Sequence, residues 1–163
     1  MPYLAKEYTV SDDQKTITFT LNENLKWSDG EALTSKDVAY TFNALGNADY
    51  AGEYGSYVEK IKGASEYKEG KAESISGIET PDDNTIKIEF ETAYGPGLTN
   101  LGCMGIIPEH IWSKIPEGEW KNNKEALTNP VGNGPYKLVS FNEGQDVKFE
   151  KNDDFFGGEV KTS

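Results

Sequence analysis

The sequence predicts an α+β protein: an antiparallel sheet with a few packed helices, built as one domain over residues 1–163. Three observations lead there. Residues 16–21 and 85–91 alternate apolar and polar side chains with the period of two that marks half-buried strands. Residues 34–45 open on a hydroxyl and continue with apolar residues at helical spacing. Residues 136–141 and 146–151 form another alternating pair about the turn Asn142-Glu143-Gly144. At 163 residues, 36% of them hydrophobic, the chain can bury one core and is not composed like a disordered segment.

Taken in order, residues 3–8 read as a short lead-in, and Asp12-Asp13 as a turn before the first clear strand. In that strand Ile17, Phe19 and Leu21 alternate with Thr16, Thr18 and Thr20. Trp27 is followed at once by Ser28-Asp29-Gly30, where Asp can bond nearby backbone and Gly accepts a positive φ. The Thr34 hydroxyl can then accept from an orphan amide of a first helical turn, and Asp37 places negative charge at that helix end. This is a capping box with Asp in the usual Glu or Gln position. Val38, Phe42 and Leu45 supply the buried stripe, and Trp27 is expected beneath the helix.

Residues 47–67 are rich in Tyr, Gly and Ala. Asn47, Asp49 and Gly52 suggest a calcium loop, but Ala51 and Val58 occupy positions where ligands belong. Tyr50, Tyr54 and Tyr57 fit two readings. They pack one face of a short helix completed by Val58 and Ile61, or they line a pocket with phenols that are apolar at one end and hydrogen-bonding at the other. Residues 68–74 are charged and solvated. Residues 75–79 and 85–91 predict a hairpin about Asp82-Asp83-Asn84, with Ile86, Ile88 and Phe90 inward. Its carboxylates lie on a solvated strand face and lack the convergence that an acid–base pair requires.

Residues 97–107 predict a buried helical or irregular stretch that includes Cys103, read as a small buried hydrophobe. Pro108 suits the start of another short helix. His110, the only histidine, has no nucleophile motif beside it and is read as a surface or packing residue. Residues 114–127 are polar and helical or loop-like, with Trp120 as their anchor. The glycines of residues 129–135 lack the third glycine of a phosphate loop, and a strand follows them instead of a helix.

The formal net charge of −12 argues against nucleic acid or an anionic membrane as partner. All 16 basic residues are lysine, so the chain has no guanidinium fork for a carboxylate or phosphate. A single cysteine excludes an internal disulfide. The start carries no secretory signal, and the longest uncharged run, residues 92–108, is too short and too broken by glycine to span a membrane. Nothing calls for a cofactor or a metal.

Four blocks in order carry a resemblance. They are Trp27-Ser28-Asp29-Gly30 with the capped helix after it, residues 106–112 (IIPEHIW), residues 129–141 (NPVGNGPYKLVSF) and residues 151–161 (KNDDFFGGEVK). The chain resembles the family 5 extracellular solute-binding proteins, the peptide and oligopeptide receptors of ABC importers. It departs from the family pattern at Asn22 and Glu23, where basic residues are usual, at Asn133 in place of Thr, and at Phe155-Phe156 in place of Tyr-Trp. The resemblance implies a fragment of a longer two-lobed receptor, corresponding to the subdomain inserted in the first lobe of a type II periplasmic-binding-protein-like fold, with its flanking strands. It further implies a peptide or other small solute as ligand, membrane permease subunits as partners, and a place outside the cell membrane or in the periplasm. By position it implies that Tyr54 contacts ligand. A freestanding acidic interaction domain and a carboxylate-based hydrolase are the alternatives, and the second lacks any paired motif.

Overall fold

In the computed structural model, which describes residues 4–160, two of the predicted strands lie side by side at the centre of a sheet. Strands β1 (Ala5–Val10), β2 (Thr16–Leu21), β3 (Ile78–Asp82) and β4 (Thr85–Glu89) form an antiparallel sheet of order β1-β2-β4-β3. Ile17 pairs with Ile88 and Phe19 with Ile86, so the alternating residues of β2 and β4 all reach one buried face. Phe90, just past β4, is buried with them.

Two expectations are corrected here. The lead-in is a full strand, β1, held to β2 from Ala5 to Val10 although five of its six residues are exposed. Tyr3, at the head of that lead-in, and Lys161, at the end of the last block, lie outside the described residues. The hairpin strand also begins at Ile78 and not at 75, because the Ile75 amide is taken by the Asn43 side chain at 2.8 Å and its own side chain is buried.

Helix α1 (Ser35–Gly46) lies against β3 and β4. Its capping box is complete: Thr34 accepts from the Lys36 amide, and the Asp37 carboxylate accepts from the Thr34 amide at 2.8 Å. The Ser35 hydroxyl and amide both donate to the β3–β4 turn, to the Asp82 and Asp83 carbonyls. Trp27 is 1% exposed and joins Val38, Phe42 and Leu45 in the core, as the sequence suggests.

Beyond α1 come a 3-10 turn (Glu53–Tyr57), α2 (Ala64–Lys68), α3 (Gly97–Gly102), α4 (Glu109–Trp112), a second 3-10 turn (Glu117–Asn122) and α5 (Lys124–Thr128). Strands β5 (Tyr136–Asn142) and β6 (Asp146–Lys151) then form a separate antiparallel pair. Tyr136, Leu138, Phe141, Val147 and Phe149 share one face of that pair, and most of them are exposed. The pair is tied to the main sheet by the Ser28 amide donating to the Gly132 carbonyl at 2.7 Å and by Lys26 on Asp154 at 3.0 Å. Val131 and Phe156 pack against the core beside these bonds. Among the described residues no helix is long and apolar enough to cross a membrane.

Candidate functional site

The three tyrosines singled out in the sequence lie in and just before the first 3-10 turn, and the backbone there sets where each can point. Tyr50 folds back over Gly52: a Cβ at Gly52 would stand 2.2 Å from the Tyr50 hydroxyl. Gly55 lies so close to the Leu45 carbonyl that its Cβ would be 3.2 Å from that oxygen. Val58 and Ile61 drop into the core as the packing reading expects.

The phenols then divide between two environments. Tyr50 is half-buried and meets Trp120 edge-on at 6.0 Å, and Trp120 meets Trp112 at 5.0 Å. Burial raises the Tyr50 hydroxyl above the usual tyrosine range. Tyr54 is 50% exposed, with its ring edge-on to Tyr57 at 5.7 Å. The structure thus brings Tyr54 and Tyr57 together and turns Tyr50 toward the tryptophans. Trp120 is the anchor expected of it, since its indole donates to the Ile115 carbonyl at 2.9 Å.

Tyr40 on α1 and Tyr67 on α2 were not singled out from sequence. The Tyr40 hydroxyl is buried with no hydrogen-bond partner among the described residues. Burial, then the charges of Glu117 and Glu109, push its pKa well upward. Tyr67 is raised for the same first reason, while its bond to the Asn47 amide pulls the other way. Helical spacing on α1 marks Tyr40 only as a neighbour of the buried stripe.

Asp37 is the other residue whose role exceeds the sequence reading. Buried at 5% exposure, it accepts from Thr34 with one oxygen and from the Glu109 amide at 3.0 Å with the other. It thereby joins α1 to the start of α4. Next to that junction His110 lies 2.7 Å from Asp29 of the Trp27–Gly30 turn, both about one-third exposed. His110 is therefore a surface histidine paired across two of the four sequence blocks. Cys103 corrects the expectation of burial. It caps α3 where the chain leaves the core, and it is exposed. Among the described residues no group of three His, Cys, Asp or Glu side chains is placed to hold a metal ion.

The family described as "Bacterial extracellular solute-binding proteins, family 5 Middle" matches residues 1–163. The chain belongs to that family. Among similar proteins, the oligopeptide-binding protein OppA of Lactococcus lactis subsp. cremoris is 30% identical over 165 residues, which cover 96% of this chain and 27% of OppA. Lactococcal OppA solved with an endogenous peptide in the closed conformation matches 97% of this chain at 29% identity and TM-score 0.84. NikZ of Campylobacter jejuni, solved with Ni(L-His), matches 98% at 26% identity and TM-score 0.79. This family 5 chain spans 30% and 28% of those two structures, respectively. Its antiparallel sheets and few helices are an α+β portion of the periplasmic oligopeptide-binding fold.

Proposed function

We propose that this chain is part of the substrate-binding component of an ABC importer that captures peptides or oligopeptides outside the membrane and delivers them to the permease subunits. The observation that carries the reading is the TM-score of 0.84 to lactococcal OppA, a protein solved with a peptide, across 97% of this chain. On this reading residues 1–163 form the subdomain inserted in the first lobe, with its flanking strands. The chain binds and does not catalyse, in keeping with a family of solute-binding proteins.

Tyr54 is the residue we assign to ligand contact. Its ring is half exposed and lies edge-on to Tyr57 at 5.7 Å, so part of it is available to a ligand. A phenol can pack on a peptide side chain and bond its backbone. The test is calorimetry on the full-length receptor, with a peptide mixture and nickel–histidine as separate titrants. Peptide should bind. Tyr54→Ala should weaken it about three- to tenfold, and Tyr54→Phe should recover much of that loss. Heat with nickel–histidine alone would overturn the peptide reading. Unchanged peptide affinity in Tyr54→Ala would overturn the Tyr54 assignment and leave the peptide reading standing.

A further inference from the structure

The loop that joins the β5–β6 pair to the main sheet contains a reactive dipeptide. Asn133 is the only asparagine followed by glycine, and Asp29 is the only aspartate followed by glycine. In such pairs the backbone nitrogen of the second residue can attack the side-chain carbonyl carbon of the first, and glycine sets no Cβ in its way. Hydrogen bonds on the attacking N–H and on the side chain oppose the attack, because they have to be broken first. The two pairs differ in these bonds.

At Asp29 both groups are held. The Gly30 amide donates to the Trp27 carbonyl at 2.9 Å. One Asp29 oxygen accepts from the Glu31 amide at 3.2 Å, and the other lies 2.7 Å from His110 Nε2. At Asn133 neither is held. Among the described residues the Gly134 amide donates to no acceptor, and Asn133 Nδ2 is buried without a hydrogen-bond partner. Nothing stands within 4 Å of the place a Gly134 Cβ would take, so a ring closing there meets no neighbour. The bonds that fix this loop lie on either side of the pair. Gly132 is bonded to Ser28 through both its amide and its carbonyl, while Asn152 donates to the Gly134 and Pro135 carbonyls, both at 2.9 Å.

We propose that Asn133 is a site of spontaneous deamidation, and that the change acts as an ageing mark which loosens the β5–β6 pair. The Gly134 nitrogen bonds to Asn133 Cγ and gives up its proton, and Nδ2 leaves as ammonia. Water then opens the resulting succinimide. Breaking the Cγ–N bond leaves aspartate; breaking the bond to the main-chain carbonyl carbon leaves isoaspartate. Either product adds a negative charge where the side-chain nitrogen is buried, which carries a desolvation cost. Isoaspartate also puts an extra methylene into the main chain between the Gly132 and Gly134 anchors, so both sets of bonds cannot keep their present geometry. The reaction needs only the atoms of this loop and water, so it stands whatever the receptor binds.

The test is peptide mapping of the full-length receptor after incubation at mildly alkaline pH, folded and in urea, with isoaspartyl methyltransferase labelling of the products. Cleavage after lysine releases residues 125–137 and 27–36 as separate peptides. In the first, Asn129 precedes Pro130, which has no N–H to attack with, so any product belongs to Asn133. The folded receptor should form product at Asn133 within about threefold of the unfolded rate. Asp29 should react about tenfold or more slowly when folded than when unfolded, because it must wait for local opening. On ageing, amide exchange should quicken at residues 136–151 and stay unchanged at 16–21, and Asn133→Gln should show neither product nor quickening. Product at Asn133 in urea alone, or equal folded-state protection at Asn133 and Asp29, would overturn the deamidation site. Modified receptor whose residues 136–151 exchange as before, or an Asn133→Gln variant that loosens equally on ageing, would overturn the loosening.

Discussion

Asp37 sits at the N-terminus of α1, where its two carboxylate oxygens accept from two different amides, those of Thr34 and Glu109. An Asn at this position has one oxygen and one NH2, so one backbone N–H must face another donor inside the protein. A hydrogen bond to a charged group contributes about 1.5–3 kcal/mol, and a buried donor left unpaired adds its own desolvation cost. Asp37→Asn should therefore lower the unfolding free energy by about 2 kcal/mol in a urea titration, whereas Asp29→Asn, at the solvated His110 pair, should change it little. A second prediction at this scale concerns alkaline pH. Tyr40, Tyr50 and Tyr67 are all raised, mainly by burial. Their neutral forms are favoured in the fold, so the unfolded chain releases these protons first as pH rises. The stability they contribute is intact below about pH 10, the unfolded tyrosine value, and is lost above it. Thermal unfolding followed from pH 8 to pH 11.5 should show a falling midpoint above pH 10, with a smaller fall in Tyr40→Phe. The Thr34–Asp37 half of the Asp37 network could be read from sequence because a capping box is local. Its bond to Glu109 joins residues 72 positions apart, and no pattern of spacing encodes that.

Between elements, close approach decides more than propensity. Gly77 lies between the end of β4 and the chain at Lys62, donating to the Lys62 carbonyl and accepting from the Glu89 amide, both at 2.8 Å. A Cβ there would stand 2.5 Å from the Glu89 oxygen and 2.9 Å from that of Lys62. Both are backbone atoms that cannot swing away, so Gly77→Ala should destabilise by about 1–3 kcal/mol, as overpacking does. Gly70→Ala would be a poor control, since its φ is +72°. Gly95→Ala, with open space around it, should be near neutral. Strands β2 and β4 and helix α1 were legible in the sequence because burial on one face imposes a period. Strand β1 was not, since an edge strand with its side chains mostly in water keeps no such period: Ala5-Lys6-Glu7-Tyr8 reads as a solvated leader. The tyrosine site was half legible. The spacing of residues 50, 54 and 57 indicated a shared face, but Gly52 lets Tyr50 fold back, and its partner Trp120 lies far along the chain.

On the scale of the whole molecule, the main sheet and the β5–β6 pair are unequally protected. The first is covered by α1 and holds most of the buried residues, while Val139, Phe141, Val147 and Phe149 of the second are exposed. A two-stranded pair alone is marginally stable in water. Amide exchange should accordingly be faster at residues 136–151 than at 16–21 or 85–89, by orders of magnitude if the pair opens locally while the main sheet stays closed. Equal protection in both sheets would mean that the two unfold as one unit. The bond from Ser28 to the Gly132 carbonyl carries a consequence for the order of events during synthesis. Its partners are 104 residues apart, while β2, β4 and α1 all lie within the first 90 positions. At about 5–20 residues per second, the ribosome delivers Gly132 roughly 5–20 s after Ser28. Microsecond-to-second folding of the earlier region can be over by then. The Trp27–Gly30 turn thus waits as a preformed socket, and the last third of the chain docks onto a surface that is already folded.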